Sequence, residues 1–315
     1  MYYIGIDLGG TNMTIGLINE SYELVDKLTA DTKREREADE IVLDMINISK
    51  EIIAKNGLTN KDIISIGVGS PGICDSDNGV IVYAGNIKFR NYNIKEAFQK
   101  HFDCPFYLGN DANVAALGEY IVGAGKKYYS SIIITLGTGV GGGYIEKGKV
   151  LTGLTFKGAE FGHMVIVKDG EQCTCGRKGC WEAYSSATAL IREINRAAEY
   201  NPESKLNDYI KGEKSHTNAK MVFDCLEDGD KVAFDVVDRY YDYLAEGLAN
   251  MVSIFDPEVI ILGGGVAGQG EKMLKPVREK LKKLVFGGNL TADVVCAELG
   301  NDAGVLGAGL LSLDN

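Results

Sequence analysis

A cysteine cluster is the most distinctive chemical feature of the sequence. Cys173, Cys175 and Cys180 lie within eight residues, and His163 precedes the first of them by ten. Three thiolates and one imidazole are a standard tetrahedral set for Zn2+, and glycines at 176 and 179 let the chain turn tightly between the ligands. Four protein ligands close the coordination shell, so we expect a structural zinc; free buried thiols are the alternative.

Three glycine-rich loops, at residues 7–12, 136–143 and 262–265, each follow an apolar segment. Glycine exposes backbone N–H groups and threonine adds a hydroxyl donor, so such loops suit phosphate. None has the Gly-Lys-Ser/Thr ending of a Walker A loop, and none fits a Rossmann fingerprint cleanly. Tight turns without a ligand are the alternative for each loop. Asp7 begins the first loop and is expected to hold Mg2+ through water, with a turn or capping role as the alternative.

Carboxylates accompany these features. Asn110 and Asp111 stand between a predicted strand and a predicted helix, where α/β enzymes place their chemistry; the alternative is that the pair only caps the helix. Glu160 and Glu182 flank the proposed zinc ligands. A rigid zinc loop would fix the geometry of both, whereas surface carboxylates without a role are the alternative.

The elements that must position these residues alternate between strands and helices, which predicts an α/β fold. The predicted strands are residues 2–7, 14–19, 63–69, 106–109, 130–136, 142–146 and 259–262. The predicted helices are residues 37–56, 112–122, 187–200, 230–255 and 269–284. The 230–255 segment has the clearest three-to-four spacing of apolar residues.

The composition is that of a globular, acidic chain. Of its 315 residues, 45% are hydrophobic and 24% are charged, which allows a large core. The net charge of −11 disfavours general binding to nucleic acids or anionic membranes. No segment has the about 20 apolar residues of a transmembrane helix, and no export signal is visible, so we expect a cytoplasmic protein.

These motifs together resemble the ROK family of sugar kinases, within the actin/hexokinase/Hsp70 superfamily. The resemblance spans nearly the whole chain and rests on residues 7–11, 69–72, 109–113, 136–143, 160–163, 173–182 and 262–265. It implies the two-domain actin-like ATPase (ribonuclease H-like) α/β fold with a cleft between the domains. The implied small α/β domain is 1–112 plus a C-terminal helix at about 302–315, and the large α/β domain is 113–301, which carries the zinc loop.

The resemblance also implies ATP-dependent phosphorylation of a hexose at the 6-hydroxyl, with glucose as the leading substrate. The implied protein is a homodimer, with a tetramer as the alternative, and it uses ATP, Mg2+ and structural Zn2+. Asp111 resembles the general base of the family. The residues that resemble sugar contacts are Asn110, Asp111, Glu160, His163, Glu182, Gly72 and Asn86. The residues that resemble nucleotide contacts are Gly9, Gly10, Thr11, Asn12, Gly137, Thr138, Gly139, Gly263, Gly264 and Gly265.

His163 would bind zinc through one ring nitrogen and a sugar hydroxyl through the other. Because the Gly/Thr loops lie on other strands, we expect loss of zinc to weaken sugar binding much more than ATP binding. Phe89 stands where Trp is common in the family and is expected at the rim of the sugar pocket, and Ala159 replaces a frequent Gly.

Two alternatives remain open. A kinase for an N-acylhexosamine, fructose or another hexose would share every catalytic residue. A sugar-responsive transcriptional repressor of the same family would carry a helix-turn-helix segment before the motif that starts here at residue 7. The acidic net charge also argues against the repressor.

Overall fold

A computed structural model of the chain describes residues 1–85, 87–210 and 217–314. Contacts between residues divide the chain into two compact units. The first unit comprises Met1–Ser131, Gly143–Ala159 and Glu298–Asn315, and the second comprises Ile132–Gly142 and Glu160–Ala297. The fold is mixed α/β, as the alternation of strands and helices predicts. The domain bounds given above (1–112 with about 302–315, and 113–301) stay a prediction.

The described residues form thirteen strands and ten α-helices. The strands are β1 (Tyr2–Leu8), β2 (Asn12–Asn19), β3 (Leu24–Asp31), β4 (Ile63–Ser70), β5 (Ile73–Asp75), β6 (Val80–Ala84), β7 (Phe89–Asn93), β8 (Phe106–Asn110), β9 (Ser130–Leu136), β10 (Val140–Glu146), β11 (Lys149–Val150), β12 (Val259–Gly263) and β13 (Asp293–Cys296). The helices are α1 (Ala38–Lys55), α2 (Ile94–Gln99), α3 (Asp111–Ile121), α4 (Glu182–Ser185), α5 (Ala187–Tyr200), α6 (Leu206–Ile210), α7 (Ala219–Glu227), α8 (Lys231–Phe255), α9 (Glu271–Leu284) and α10 (Ala303–Gly309).

The first unit is built on a five-stranded sheet of order β3-β2-β1-β4-β8. β1, β2 and β3 are antiparallel neighbours, whereas β4 is parallel to both β1 and β8. Most apolar residues of β1, β2 and β4 are buried, as are those on the inner face of α1, such as Ile41 and Met45. Burial of this kind supplies most of the favourable free energy of folding, so the sheet is a rigid base for its loops.

α10 packs unusually close to this sheet because the strands beneath it carry glycines. A Cβ at Gly5 would lie 1.9 Å from the carbonyl oxygen of Val305, and one at Gly67 would lie 1.8 Å from that of Ala308. α10 also packs tightly on α3, since a Cβ at Gly307 would lie 1.6 Å from the carbonyl oxygen of Val114. Larger side chains at these positions would force the helices away from the sheet.

The short strands β5, β6 and β7 form a separate antiparallel sheet in the first unit. Phe89 of β7 is fully buried, and its ring packs edge-to-face on Tyr92 with the centroids 5.3 Å apart. This corrects the expectation that Phe89 lies at a pocket rim, because a fully enclosed ring belongs to the hydrophobic core.

In the second unit, β12 is buried along its whole length and is parallel to β13. These strands belong to a sheet of order β11-β10-β9-β12-β13. α8 is the longest helix of the described residues, and its apolar stripe includes the fully buried Leu244 and Leu248. Within the described part of the chain, no helix is both long and apolar enough to cross a membrane.

All seven predicted strands and all five predicted helices are confirmed, with ends that move by two residues at most. The sequence did not reveal β3, β5, β6, β7, β11 or β13. Most of these are short, and β3 alternates between half-buried and exposed residues at the edge of its sheet. Such segments lack the continuous apolar run by which the central strands were recognised.

Candidate functional site

The carboxyl ends of three parallel strands lie side by side in the first unit. Asp7 of β1 pairs with Gly69 of β4, and Ser70 of β4 pairs with Asn110 of β8. This register brings Asp7 and the start of α3 to the same edge of the sheet. Open α/β sheets bind ligands at this edge.

Asn110 caps α3. Its Oδ1 accepts hydrogen bonds from the backbone N–H groups of Ala112 (3.0 Å) and Asn113 (3.3 Å), and its Nδ2 donates to the carbonyl oxygen of Gly72 (2.9 Å). Asp111 is the first residue of the helix, and its Oδ1 also accepts from the N–H of Ala112, at 2.8 Å. The capping role considered for the pair therefore falls mainly to Asn110. Asp111 is left at a helix N-terminus, where a negative charge is favoured.

Asp7 and Asp111 influence each other electrostatically. Asp7 is partly buried, and its pKa is raised to about 6, first by burial and then by the negative charge of Asp111. Gly304 leaves room for Asp7, since a Cβ there would lie 2.5 Å from Oδ2 of Asp7. Oxygen donors of this kind are what Mg2+ prefers, and a cation would offset the repulsion between the carboxylates. The residues present therefore fit the Mg2+ predicted at Asp7.

The raised pKa of Asp7 predicts that replacing it by Asn stabilises the protein in a pH-dependent way. In the folded protein Asp7 keeps its proton up to about pH 6, whereas the ordinary pKa of the side chain is 3.8. The stability that Asp7 contributes is therefore present below pH 4 and is lost as pH rises to 6. Asn does not ionise. We expect urea unfolding without Mg2+ to show Asp7→Asn gaining up to about 3 kcal/mol on wild type between pH 4 and 7. A difference that stays constant over this range would contradict the raised pKa.

Gly72, a predicted sugar contact, lies beside Asn110, whose side chain binds its carbonyl oxygen. Its φ is +87°, and a Cβ would lie 2.1 Å from the carbonyl oxygen of Tyr83, so only glycine is accommodated. The structure thus brings together two of the predicted sugar contacts. Asn86, predicted with them, lies outside the described residues.

The first glycine loop, Gly9-Gly10-Thr11-Asn12, is the turn between β1 and β2. The N–H of Gly9 donates to the carbonyl oxygen of Asn12 at 2.9 Å. Buried Thr32 holds the turn from outside: its N–H donates to the carbonyl oxygen of Thr11 (2.7 Å), and its Oγ1 donates to that of Gly9 (2.7 Å). Thr11 and Asn12 are exposed at the tip. A fixed turn with an exposed tip suits phosphate binding.

The second loop connects β9 to β10 in the second unit. The N–H of Gly137 donates to the carbonyl oxygen of Gly139 at 3.0 Å. The start of α5 holds the tip, because the N–H of Ala187 donates to the carbonyl oxygen of Gly137 (2.8 Å) and Oγ1 of Thr188 donates to that of Thr138 (2.7 Å). The tip is thus ordered before any ligand binds, which lowers the entropic cost of binding.

The third loop, Gly263-Gly264-Gly265, packs on the second. Gly264 has a φ of +84°, and a Cβ there would lie 2.6 Å from the carbonyl oxygen of Leu136. Two of the three predicted phosphate loops therefore lie against each other within the second unit. A side chain at Gly264 would separate them.

The predicted zinc ligands come together in the second unit. The ligand atoms of His163, Cys173, Cys175 and Cys180 all lie within 4.8 Å of one another. Sγ of Cys173 is 3.7 Å from Nδ1 of His163, and Sγ of Cys175 is 3.6 Å from Sγ of Cys180. Zinc–sulfur bonds of about 2.3 Å place tetrahedral sulfurs about 3.8 Å apart, so this donor set fits zinc.

The surrounding loop turns tightly between the clustered residues. Gly176 and Gly179 have positive φ, and a Cβ at Gly179 would lie 1.7 Å from the carbonyl oxygen of Val167. Burial, together with hydrogen bonding to Cys175, raises the pKa of Cys180 to about 12. Without a cation this shift favours the neutral thiol, and a bound Zn2+ would favour the thiolate.

Glu160 and Glu182 border this loop. Glu160 precedes a single 3-10 turn, Phe161–His163, and its carbonyl oxygen accepts from the N–H of His163 at 3.0 Å. Glu182 is the first residue of α4, and its Oε2 accepts from the N–H of Val140 at 3.1 Å. The structure therefore ties both residues to the neighbourhood of the zinc ligands.

Sequence reasoning missed the threonines that hold these loops. Thr32 and Thr188 bind loops that lie 23 and 50 residues away in the chain, and no local pattern marks them. Oγ1 of Thr174 donates to Oε1 of Glu182 at 3.1 Å. Thr174 stands between two predicted ligands, Cys173 and Cys175, and this position is what could have indicated its role from the sequence.

Comparisons with known proteins agree with this description. The profile of the ROK family matches residues 3–315. The glucokinase of Thermotoga maritima is 36% identical, aligned over 97% of this chain and 95% of that protein. The crystal structure of a ROK family glucokinase from Streptomyces griseus in complex with glucose and AMPPNP has a TM-score of 0.81 at 35% identity and covers 99% of each chain. The xylose repressor of Caldicellulosiruptor bescii is 30% identical over 90% of this chain, but over only 70% of that protein.

Proposed function

The chain belongs to the ROK family, and on that premise we propose that it is an ATP-dependent glucokinase that phosphorylates glucose at the 6-hydroxyl. One observation carries the proposal: the Asp111 carboxylate lies near Asp7 at the carboxyl edge of the first sheet, in a chain that matches glucokinases over nearly its whole length. Phosphoryl transfer requires a positioned acceptor and stabilised charge more than covalent catalysis. The chain offers residues for both requirements.

Asp111 is the proposed general base. It accepts the proton of the 6-hydroxyl as that oxygen forms a bond to the γ-phosphorus of ATP, and the bond to the leaving ADP oxygen breaks. Asn110 caps the helix that carries Asp111 and so fixes the direction of the carboxylate. A base on the first turn of a capped helix is well positioned without further ordering.

The nucleotide contacts are proposed at the three glycine loops: Gly9, Gly10, Thr11, Asn12, Gly137, Thr138, Gly139, Gly263, Gly264 and Gly265. Their backbone N–H groups and threonine hydroxyls would donate to phosphate oxygens. Asp7 would hold Mg2+ through water. The ion, when bound, neutralises charge on the phosphates.

Zinc is proposed as a structural ion held by His163, Cys173, Cys175 and Cys180. Nδ1 of His163 faces Cys173, which leaves Nε2 for a sugar hydroxyl. The further sugar contacts proposed from the family resemblance are Asn110, Asp111, Glu160, Glu182, Gly72 and Asn86. The same resemblance supports a homodimer, with a tetramer as the alternative, and light scattering would measure the mass of the assembly.

A panel of hexoses tests the substrate. With ATP and Mg2+, we expect ADP release to be fastest with glucose, as kcat/KM, and to fall to background without sugar. Faster turnover of an N-acylhexosamine or fructose would make the protein a kinase of that sugar. Tight, salt-resistant binding to DNA without turnover of any hexose would instead support the repressor.

A further inference from the structure

Glu182 contacts two loops at once, one through each carboxylate oxygen. Oε1 accepts from Oγ1 of Thr174 at 3.1 Å, in the zinc loop. Oε2 accepts from the N–H of Val140 at 3.1 Å, at the end of the second glycine loop. A single carboxylate thus joins the zinc loop to the loop proposed for the nucleotide.

The backbone of Glu182 is fixed by the residue before it. Trp181 is fully buried, its N–H donates to the carbonyl oxygen of Met164 (2.7 Å), and its Nε1 donates to that of Tyr243 (2.9 Å). The indole lies so close to α8 that a Cβ at Gly247 would come within 2.0 Å of it. Because the backbone cannot shift, the direction of the Glu182 side chain depends on its own hydrogen bonds.

The second glycine loop approaches the Glu182 carboxylate closely. A Cβ at Gly139 would lie 2.4 Å from Oε2 of Glu182, so the loop is glycine where the carboxylate passes. A carboxylate that rotated away from Val140 would leave a backbone N–H without that acceptor. The position of the loop and the rotamer of Glu182 are therefore interdependent.

We propose that Thr174 is a positioning residue. It holds the Glu182 side chain so that the zinc loop and the second glycine loop keep a fixed position relative to each other. This inference rests on the proposed function, in which Glu182 contacts the sugar and residues 137–139 contact ATP. It modifies the expectation drawn from the sequence. Disturbance of the zinc loop reaches the nucleotide loop directly through Glu182, and hence affects the KM for ATP as well as the KM for sugar.

The test compares Thr174→Val with Thr174→Ser. Valine keeps the shape of threonine but cannot donate to Glu182, whereas serine keeps the hydroxyl. We expect Thr174→Val to raise the KM for glucose and the KM for ATP by about five- to tenfold each, with a smaller change in kcat, because a hydrogen bond to a charged group is lost. Thr174→Ser should stay within about twofold of wild type. Zinc content is measured for each protein, and excess zinc is added so that all are compared with the ion bound.

Thr188→Val is the matched control, because the Thr188 hydroxyl binds the same glycine loop at Thr138 but, within the part of the chain that the structure describes, makes no hydrogen bond to the zinc loop. It should raise the KM for ATP by a larger factor than the KM for glucose, because it acts first on the glycine loop. The proposal would be overturned if Thr174→Val and Thr188→Val changed the KM for glucose by the same factor and also changed the KM for ATP by the same factor. The zinc loop and the glycine loop would then not be coupled through Glu182.

Hydrogen exchange at the Val140 amide gives a readout that does not require activity. We expect this amide to exchange at least about fivefold faster in Thr174→Val than in wild type and Thr174→Ser. Unchanged exchange would overturn the proposal even if the enzyme is a glucokinase. If wild type phosphorylates no hexose, the proposed function fails, and the exchange experiment still decides whether Thr174 positions Glu182.

Discussion

Replacing Asp111 by Asn should lower kcat by about two or more orders of magnitude while the fold stays intact. Asparagine has the size of aspartate, and its side-chain oxygen can still accept from the N–H of Ala112, but it cannot take the proton of the sugar hydroxyl. The helix keeps its own cap at Asn110. The loss should therefore appear in kcat, with both KM values changed by a few-fold at most. Steady-state kinetics and thermal unfolding of the same preparations measure it.

Asp314→Asn is a control for replacing a partly buried carboxylate in the same unit. Burial raises the pKa of Asp314 to about 6, and its Oδ1 accepts from the N–H of Val150 at 2.8 Å. Measured beside Asp111→Asn, the Asp314→Asn protein should keep its kcat within about twofold of wild type. If Asp111→Asn also retained wild-type turnover, Asp111 would be only a helix residue.

Replacing Cys175 by Ser should lower bound zinc below one ion per chain and raise the KM for glucose about 10- to 100-fold. The loss of one thiolate opens the coordination shell, and the polar, glycine-rich loop then loses the ion that orders it. Through Glu182 the change should also raise the KM for ATP, by a smaller factor. Elemental analysis and both KM values are measured on the same protein.

Cys104→Ser is the control for this prediction, because Cys104 is partly buried in the first unit and is not among the four clustered ligands. It should keep the metal content and both KM values of wild type. Full activity in Cys175→Ser shown to be free of zinc would contradict the role given to the loop, and with it the sugar contacts assigned around it.

The sequence predicted the features that have a strong local pattern. The central strands have long apolar runs, the cysteine cluster has a specific spacing, and the glycine loops follow strands, so each could be located without the structure. Asp111 was found because it directly follows a strand. In all these cases, neighbouring residues in the chain form the feature.

Contacts between distant segments were not predictable in this way. Thr32 and Thr188 look ordinary in the sequence, and their roles depend on which loops the fold brings beside them. Phe89 was misplaced because the resemblance gave a position in a motif, whereas burial depends on the surrounding strands. The raised pKa of Asp7 likewise depends on burial in the folded protein and on the charge of Asp111, more than one hundred residues later in the chain.

Ala159 shows how the family resemblance and the backbone conformation combine. The resemblance marked it as an alanine where glycine is frequent, and the structure gives it a φ of +60°. Residues with a Cβ are strained in this region, whereas glycine is not. The sequence comparison noted the substitution, but only the backbone angle supplies its physical meaning.

The most direct test of the account is to identify the product formed from ATP and glucose. Purified protein with Mg2+, ATP and glucose is followed by phosphorus and carbon NMR, and ADP is measured in parallel. The account predicts one glucose 6-phosphate for each ADP, and almost none with Asp111→Asn. ADP formed without a sugar phosphate, or a phosphate on another hydroxyl of glucose, would contradict it.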